Sequence, residues 1–254
     1  MSVDNKNLDL IKNYWENENT VSLKDGNLQS IERNAILDAV KTLPESSLDI
    51  LFDIGCGDAT DTIFFLEHFK KCYGYDYSKQ MLEKAINNCK EKIIKFRNFD
   101  ILNDDFNEKC TVAITKRCLI NLGNFENQKK AILKIHNALN DNGYYLMLET
   151  CIDGLNNLNI LRNKFNLESL KEPHHNTYFK LNNLLEFLKN YFEIQVMFNF
   201  STYFFLTRVY NPALTADYMK YDTIAKEVYE KIDLFEGKNI LSPQFLLILK
   251  KLVK

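Results

Sequence analysis

The chain has 254 residues, of which 46% are hydrophobic and 26% charged, and its formal net charge is −2 at pH 7. This composition is ordinary for a globular protein. It excludes a disordered chain and argues against a broad basic surface for nucleic acid or an anionic membrane. The six cysteines are scattered without a C-x-x-C pair, and neither a signal peptide nor an apolar run of about 20 residues is present. We therefore expect a cytoplasmic protein with reduced thiols, no zinc cluster and no membrane span.

The N-terminal region has the apolar spacing of helices. The segments "LDLIKNYWEN" and "NLQSIERNAILDAVKTL" repeat apolar residues at helical intervals, and Pro44 follows the second segment. We expect residues 1–44 to form a helical lid that includes Tyr14 and Trp15. A packing role for Trp15 is the alternative.

From residue 49 onward, apolar runs typical of strands alternate with helical segments. The predicted helices are "ATDTIFFLEHF", "KQMLEKAINNCK" and "NQKKAILKIHNALN". The predicted strands are "DILFDIG", "KCYGYDYS", "KIIKFRNFD", "CTVAITKR", "GYYLMLET", "FEIQVMFNF" and "PQFLLILKK". This alternation predicts a single α/β domain with a mostly parallel seven-stranded sheet and helices on both faces.

Two long segments, 151–190 and 201–243, interrupt the alternation after the fifth and sixth strands. Connections within α/β units usually have about 2–6 residues, so these segments are predicted to be helical insertions. Both begin where a strand ends, and ligands of open α/β sheets bind at the carboxyl edge of the strands. We expect the insertions to bind a substrate. The alternative is that they only stabilise the fold.

A glycine turn follows the first predicted strand. Asp53, Gly55 and Gly57 lie between that strand and a helix, and Asp76 ends the next strand. Such a turn can hold a nucleotide, with the second acid on the ribose hydroxyls. A dinucleotide site would require a small residue where Thr60 stands and would not favour the Asp53 carboxylate near a pyrophosphate. Asp53 instead suits a cation such as the α-amino group of S-adenosylmethionine. Simple turn-forming roles for these acids are the alternative.

The segments "DIGCGDAT", "YGYDYSKQML" and "NFDIL" resemble the cofactor motifs of class I S-adenosylmethionine-dependent methyltransferases, which have a Rossmann-like fold. The resemblance covers residues 51–150, within a predicted cofactor-binding core at 49–150. By this resemblance, Asp53, Gly55 and Gly57 hold the methionine end, Asp76 binds the ribose, and the adenine lies near Tyr77, Met81, Asp100 and Ile101. Ala59 replaces the usual third glycine. Arg33 is a candidate for the cofactor carboxylate, and a surface position is its alternative.

The segments "TKRCLINLGNFENQKKAILKIHNALNDNGYYLMLET", "LNNLNILRNKFNL", "HHNTYF" and "NFSTYFFLTRVYNP" resemble a subgroup of small-molecule methyltransferases often associated with bacterial surface glycans and related metabolites. The resemblance implies a small-molecule acceptor and the product S-adenosylhomocysteine. Glu149, at the end of a predicted strand, and His175, in the first insertion, are the candidate catalytic bases, because a hydroxyl acceptor benefits from a base. A carboxylate paired with a neighbouring residue is the alternative for Glu149, and a surface-loop histidine is the alternative for His175. The candidate acceptor-binding residues are Tyr14, Arg117, Asn121, Tyr178, Tyr203 and Arg208.

The predicted acceptor side carries five basic residues, namely Arg117, Arg162, His174, His175 and Arg208. They favour an anionic acceptor such as a phosphorylated or nucleotide-linked sugar, methylated on oxygen. Pairing of these arginines with acids of their own domain is the alternative. N-methylation of a small amine and an NAD-dependent oxidoreductase are the other functions considered. We expect a monomer or homodimer without a metal ion, a nucleic-acid partner or a membrane partner.

Overall fold

The computed structural model describes residues 7–17, 23–89, 94–215, 222–235 and 240–253. Parts of the predicted lid at 1–44 and of the predicted insertion at 201–243 lie outside these residues. The same holds for the end of the predicted helix at residue 90 and the start of the predicted strand at residues 92–93.

The strands are β1 Ile50–Ile54, β2 Lys71–Asp76, β3 Ile94–Asn98, β4 Cys110–Lys116, β5 Leu139–Thr150, β6 Phe192–Asn199 and β7 Gln244–Lys251. They form one sheet in the order β3-β2-β1-β4-β5-β7-β6. The strands from β3 to β5 in that order are parallel, and β7 runs antiparallel to both β5 and β6. The predicted mostly parallel seven-stranded sheet is confirmed.

The described helices are α1 Leu8–Trp15, α2 Gly26–Thr42, α3 Thr62–Phe65, α4 Lys79–Asn88, α5 Phe125–Ala138, α6 Ile152–Lys164, α7 Leu181–Leu188, α8 Ser201–Phe205, α9 Asn211–Leu214 and α10 Thr223–Lys231. Short 3-10 turns occur at Glu45–Ser47, Leu66–His68 and Leu119–Asn121, and a π-helical turn occurs at Leu206–Tyr210. Side-chain caps begin several helices, with Asn7 before α1, Asp25 before α2, Ser78 before α4 and Asn124 before α5.

Alternation along the strands buries both faces of the sheet. Leu51 and Val112 belong to one apolar cluster with residues of α2, whereas Phe52 and Ala113 belong to a second cluster with residues of α5. Adjacent residues of a strand point to opposite faces, so a sheet covered on both sides reads as a continuous apolar run. This explains why the strands could be recognised in the sequence.

Two elements differ from their predicted bounds. The predicted helix at 59–69 begins only at Thr62, because Ala59 has a φ of 61° and forms part of the turn. The fifth strand begins at Leu139, four residues before the predicted start, and its pairing with β4 shifts between Cys110 and Val112. The insertion after β5 contains α6 and α7, which are joined by a non-helical stretch at 165–180, and the described part of the insertion after β6 contains α8, α9 and α10. In the described part of the chain, no helix combines the length and apolar character that crossing a membrane requires.

Candidate active site

The carboxyl ends of the parallel strands open onto a cavity of about 920 Å³. Ile54, Asp76, Lys116 and Thr150, which end β1, β2, β4 and β5, all line it. Gln244 also lines it, because β7 is antiparallel and its first residue therefore lies at the same edge. Helix α1 forms the opposite wall. The cavity lies where ligands bind in open α/β sheets.

The glycine turn at this edge requires its glycines. Gly55 has a φ of 77° and Gly57 a φ of 55°, in the left-handed region that side chains disfavour. A Cβ atom on Gly55 would lie 2.6 Å from Sγ of Cys118. The Gly55 N–H donates to the Tyr75 carbonyl at 2.7 Å, which ties the turn to β2. The backbone of the turn therefore lines the cavity without a side chain at Gly55 or Gly57.

Asp53 lies beneath this turn and lines the cavity, although it is only 5% exposed. Its Oδ2 accepts a hydrogen bond from the Thr62 hydroxyl at 2.6 Å. Burial raises the pKa of Asp53 to about 7, and the Thr62 hydrogen bond only partly offsets this effect. A cation bound next to Asp53 would favour its charged form.

Asp76 ends β2 and faces the same turn. Its Oδ2 accepts from the Gly57 N–H and its Oδ1 from the Ser78 N–H, each at 2.8 Å. Burial raises the pKa of Asp76 to about 6 despite these hydrogen bonds. Two backbone donors thus fix a carboxylate at the cavity wall, where it can accept hydrogen bonds from ligand hydroxyls.

The residues predicted to surround adenine also lie together. Tyr77, Met81, Asp100 and Ile101 all line the cavity. Asp100 Oδ2 is 2.6 Å from the Lys12 Nζ, and its Oδ1 accepts from the Leu102 N–H at 3.0 Å. Partial burial raises the pKa of Asp100, but the hydrogen bonds from Lys12 and Leu102 outweigh it and leave the pKa below its usual value.

Helix α1 covers the cavity through polar contacts with loops after three different strands. Lys12 contacts Asp100 after β3, and its carbonyl accepts from the Tyr77 hydroxyl after β2. Trp15 Nε1 donates to Asn121 Oδ1 after β4 at 3.1 Å. The helix therefore closes the cavity over the ends of β2, β3 and β4.

Aromatic rings at the end of α1 pack against the loop that carries His174 and His175. The Tyr14 and His175 rings are stacked with 4.0 Å between centroids, and Trp15 meets His175 edge-on at 5.9 Å. All three residues line the cavity, as do Arg117, Asn121 and Tyr178. His174 packs edge-on against Tyr14 at 5.8 Å and is not among the residues that line the cavity. Five of the eight predicted acceptor and base candidates therefore line the cavity on this wall, namely Tyr14, Arg117, Asn121, His175 and Tyr178.

Glu149 is not part of this wall, which corrects its assignment as a catalytic base. Its side chain is completely buried, and its Oε1 accepts from the Cys118 and Leu119 N–H groups at 3.2 and 3.0 Å. Burial raises its pKa to about 7, with the hydrogen bonds opposing the shift. Adjacent strand residues point in opposite directions, so Thr150 faces the cavity while Glu149 caps the turn after β4.

Tyr203 and Arg208 also lie away from the cavity and are removed from the acceptor residues. Both contact the buried Asp25, with 2.8 Å from the Tyr203 hydroxyl to Oδ1 and 2.8 Å from Arg208 Nη2 to Oδ2. Arg162 donates to the carbonyls of Glu168 and Arg208. These side chains connect the insertion after β6 to the start of α2 and to α6, and their role in the structure is internal pairing.

Arg33 is not among the residues that line the cavity, which corrects its assignment to the cofactor carboxylate. Its Nε lies 2.7 Å from Asp61 Oδ1, and its guanidinium lies 3.9 Å from the centroid of the Phe64 ring. Asp61 lines the cavity and is also 2.5 Å from the Nζ of Lys116. Of these three charged side chains, Asp61 and Lys116 therefore line the cavity and Arg33 does not.

Lys12 and Lys116 line the cavity but were not predicted as site residues, although the sequence held a signal for each. Lys12 shares a helical face with Leu8 and Trp15, and Lys116 ends a buried strand as Asp76 does. Within the described residues, no group of three or more histidine, cysteine or acidic side chains is placed to hold a metal ion.

Comparison with known proteins shows what this architecture resembles. A family model described as a methyltransferase domain matches residues 45–201. No curated protein matches the sequence. Among solved structures, the N-methyltransferase NodS from Bradyrhizobium japonicum, in complex with S-adenosylhomocysteine, has a TM-score of 0.59 at 12% identity. The match covers 97% of this chain and 98% of that chain.

Two further structures show the same fold. Magnesium protoporphyrin IX methyltransferase from Synechocystis, with bound S-adenosylhomocysteine, has a TM-score of 0.58 at 13% identity and covers 96% of this chain and 94% of its own. A putative S-adenosylmethionine-dependent methyltransferase from Listeria monocytogenes has a TM-score of 0.56 at 15% identity, with 88% and 100% covered. At these identities the structures indicate a shared fold and leave the acceptor open.

Proposed function

This chain belongs to the methyltransferase-domain family, and we propose on that premise that it methylates a hydroxyl group of a small polar metabolite. It is an S-adenosylmethionine-dependent methyltransferase whose product is S-adenosylhomocysteine. The observation that supports the proposal is the convergence of Asp53, Asp76 and Asp100 on one cavity around the glycine turn. Such a set suits a ligand with an ammonium group, a ribose and an adenine.

The cavity fits this cofactor. Its volume of about 920 Å³ is near the upper end of the roughly 300–1,000 Å³ of small-molecule sites, which leaves room for an acceptor beside the cofactor. The methionine end would lie at Gly55 and Gly57, the ribose at Asp76, and the adenine between Met81 and Asp100. A bound sulfonium supplies an activated methyl group, so the protein chiefly has to hold the acceptor in line with it.

The acceptor would bind on the wall that carries the ring stack. Two contacts fix the Asn121 amide on this wall, because its Nδ2 donates to the Arg117 carbonyl at 2.9 Å and its Oδ1 accepts from Trp15. Burial raises the pKa of Tyr178 to about 12, so its hydroxyl stays protonated and can donate. His175 is the candidate base on this wall, because a neutral imidazole can accept the proton of a hydroxyl acceptor.

An anionic group on the acceptor would bind at Arg117. Of the arginines from which an anionic acceptor was inferred, Arg162 and Arg208 are engaged elsewhere, whereas Arg117 lines the cavity with its Nε 3.4 Å from Glu32. The resemblance of the chain to surface-glycan methyltransferases supports a phosphorylated or nucleotide-linked sugar. We place the enzyme in the cytoplasm as a monomer or homodimer.

Ligand-dependent thermal unfolding tests this function first. S-adenosylmethionine and S-adenosylhomocysteine should each raise the melting temperature, because a ligand that binds only the folded state stabilises it. NAD is the matched negative control. A shift with NAD and none with the sulfonium would overturn the assignment.

The acceptor class is tested by release of S-adenosylhomocysteine from mixtures of candidate acceptors. Sugar phosphates and nucleotide sugars form one set, their neutral sugars a second, and small amines a third. Product from the first set alone supports an anionic hydroxyl acceptor. Product from amines alone would show N-methylation and remove the need for a base.

A further inference from the structure

Lys116, at the end of β4, lines the cavity beside the glycine turn. We propose that its ammonium binds the α-carboxylate of the cofactor's methionine end, and that Asp61 and Arg33 are positioning residues that hold Lys116 in place. This inference rests on the proposed function, because it assigns one part of the cofactor site. It replaces Arg33 as the residue that contacts the carboxylate.

The position of Lys116 follows from strand pairing. Thr115 of β4 pairs with Ile54 of β1, so the next residues on the two strands are Lys116 and Gly55. Lys116 is therefore level with the start of the glycine turn, where the methionine end would lie. Its side chain is 8% exposed, and Lys116 is one of the residues that line the cavity.

The surrounding charges hold Lys116 without using all of its donors. Its Nζ is 2.5 Å from Asp61 Oδ2 and 3.4 Å from Oε2 of the fully buried Glu32. Glu32 accepts no hydrogen bond from the described residues, so its contact with Lys116 is electrostatic. An ammonium has three N–H donors, and only the one to Asp61 is used among these contacts. At least one donor can be directed to a ligand carboxylate.

The charge pattern of this corner matches an amino acid. Asp61 bridges Arg33 and Lys116, and Glu32 lies 3.4 Å from both Lys116 and Arg117. A ligand carboxylate would meet the Lys116 ammonium at the cavity wall. The nearby Asp53 carboxyl would face the ligand's ammonium group. A zwitterion bound between Lys116 and Asp53 therefore satisfies both sides.

Arg33 and Arg117, the other two cations of this cluster, lie in different positions. Arg33 lies behind Asp61, outside the set of residues that line the cavity, and approaches the carboxylate site only through Asp61. Arg117 lies near enough to Tyr178 to lower its pKa against the effect of burial, which places its charge on the acceptor wall. Lys116 thus combines a place on the cavity wall with a strand position level with the glycine turn.

The inference is tested by comparing two ligands that differ only in the carboxylate. Calorimetry would measure the affinity of the wild type for S-adenosylhomocysteine and for S-adenosyl-3-thiopropylamine, which keeps the ammonium and lacks the carboxylate. A hydrogen bond to a charged group predicts a preference of at least about tenfold for S-adenosylhomocysteine. In Lys116→Met this preference should fall to about twofold or less, through weaker binding of S-adenosylhomocysteine alone, while Lys116→Arg should keep it.

Two variants serve as controls. Arg33→Met should reduce the preference without abolishing it, and Lys70→Met, which removes an exposed ion pair with Asp49, should leave it unchanged. If Lys116→Met does not fold because Glu32 loses its cation, Lys116→Met combined with Glu32→Gln removes one charge of each sign and takes its place.

Each outcome has one meaning. A wild type that binds S-adenosylhomocysteine but binds both ligands equally sinks this inference and leaves the proposed function intact. A wild type that binds neither ligand overturns the proposed function. Loss of the preference in Arg33→Met and not in Lys116→Met would show that Arg33, and not Lys116, contacts the carboxylate of the cofactor.

Discussion

Lys12 of α1 and Asp100 after β3 form an ion pair, with 2.6 Å between Nζ and Oδ2. One turn further along the same helix, Trp15 donates to Asn121 after β4. Lys12 lies at the proposed adenine end of the cavity, and Trp15 lies on the proposed acceptor wall. A single short helix therefore contacts both halves of the site, and a change in its position would affect both ligands.

We predict that S-adenosylhomocysteine stabilises the closed position of α1. Trp15 is the single tryptophan of the chain, so tryptophan fluorescence reports on this helix alone. Saturating ligand should lower acrylamide quenching of Trp15. Lys12→Met should weaken ligand binding by up to about fivefold, the range of a partly exposed ion pair.

The exposed pair of Lys70 with Asp49 provides the control, since its Nζ–Oδ1 distance is also 2.6 Å and Lys70→Met should change neither readout. Unchanged quenching with bound ligand would show that α1 does not respond to the cofactor. Tighter binding by Lys12→Met would show that Lys12 occupies the place of the adenine amino group.

The cofactor half of the site could be inferred from the sequence because its signals are local. Asp53 and Asp76 each end a continuous apolar run, and the glycines between them are needed for a turn with positive φ. Parallel strands place their carboxyl ends at one edge, so acids that end separate strands must converge. The length of β5, by contrast, could not be predicted from local signals. This strand extends back to Leu139 because Leu139 pairs with Cys110 of β4.

The acceptor half could not be inferred in the same way, because its charged residues are paired over long distances. Arg208 binds Asp25, which lies 183 residues earlier, and no local pattern announces this contact. Glu149 and Thr150 are adjacent in β5 and point to opposite faces of the sheet. An error of one residue in the predicted register therefore exchanges the side chain that lines the cavity, Thr150, for the buried one, Glu149. Lys12 and Lys116 each carried a local signal in the sequence, but their ion pairs with Asp100 and Asp61 are visible only in the fold.

We predict that Asp76→Asn weakens binding of S-adenosylhomocysteine at least tenfold without unfolding the protein. The substitution removes a charge that would accept two ribose hydroxyls, and each such hydrogen bond is typically worth about 1.5–3 kcal/mol. Since burial raises the pKa of Asp76 to about 6, wild-type affinity should fall as the pH drops below that value and Asp76 takes up a proton.

Calorimetry between about pH 5 and 8 would measure this, and the difference between wild type and variant isolates Asp76 from Asp53, whose pKa burial raises to about 7. Circular dichroism would verify the fold, because Asp76 also accepts from Gly57 and Ser78. Equal affinities of the two proteins would place the ribose elsewhere.

We predict that Glu149→Gln changes the pH dependence of stability and not ligand binding. Burial raises the pKa of Glu149 from 4.5 to about 7, so the folded state binds the proton more tightly than the unfolded state. The contribution of Glu149 to the free energy of unfolding is therefore greatest below about pH 4.5 and declines by on the order of 3 kcal/mol as the pH rises to about 7.

Urea unfolding at several pH values should show a flatter dependence for Glu149→Gln than for the wild type, with the same affinity for S-adenosylhomocysteine. If the pH dependence of stability is unaltered and methyl transfer is lost, Glu149 acts in catalysis after all.

We predict that Arg208→Met destabilises the protein and leaves the site unchanged. The substitution removes the cation 2.8 Å from Asp25, whose carboxylate is 1% exposed and would remain buried with the Tyr203 hydroxyl and the Leu28 N–H as hydrogen-bond donors. Breaking a buried ion pair on one side typically costs about 3–5 kcal/mol. The free energy of unfolding in urea should fall by about this amount, while the affinity of the folded protein for S-adenosylhomocysteine should stay within about twofold.

Two comparisons make this prediction specific to the buried pair. Arg97→Met breaks an ion pair with Glu108 of 2.6 Å whose side chains are 38% and 33% exposed, and it should cost no more than about 1 kcal/mol. Adding Asp25→Asn to Arg208→Met should recover part of the lost stability, because no uncompensated charge then stays buried. A variant Arg208→Met with wild-type stability and a strongly raised acceptor KM would contradict the structural role and restore Arg208 to the acceptor site.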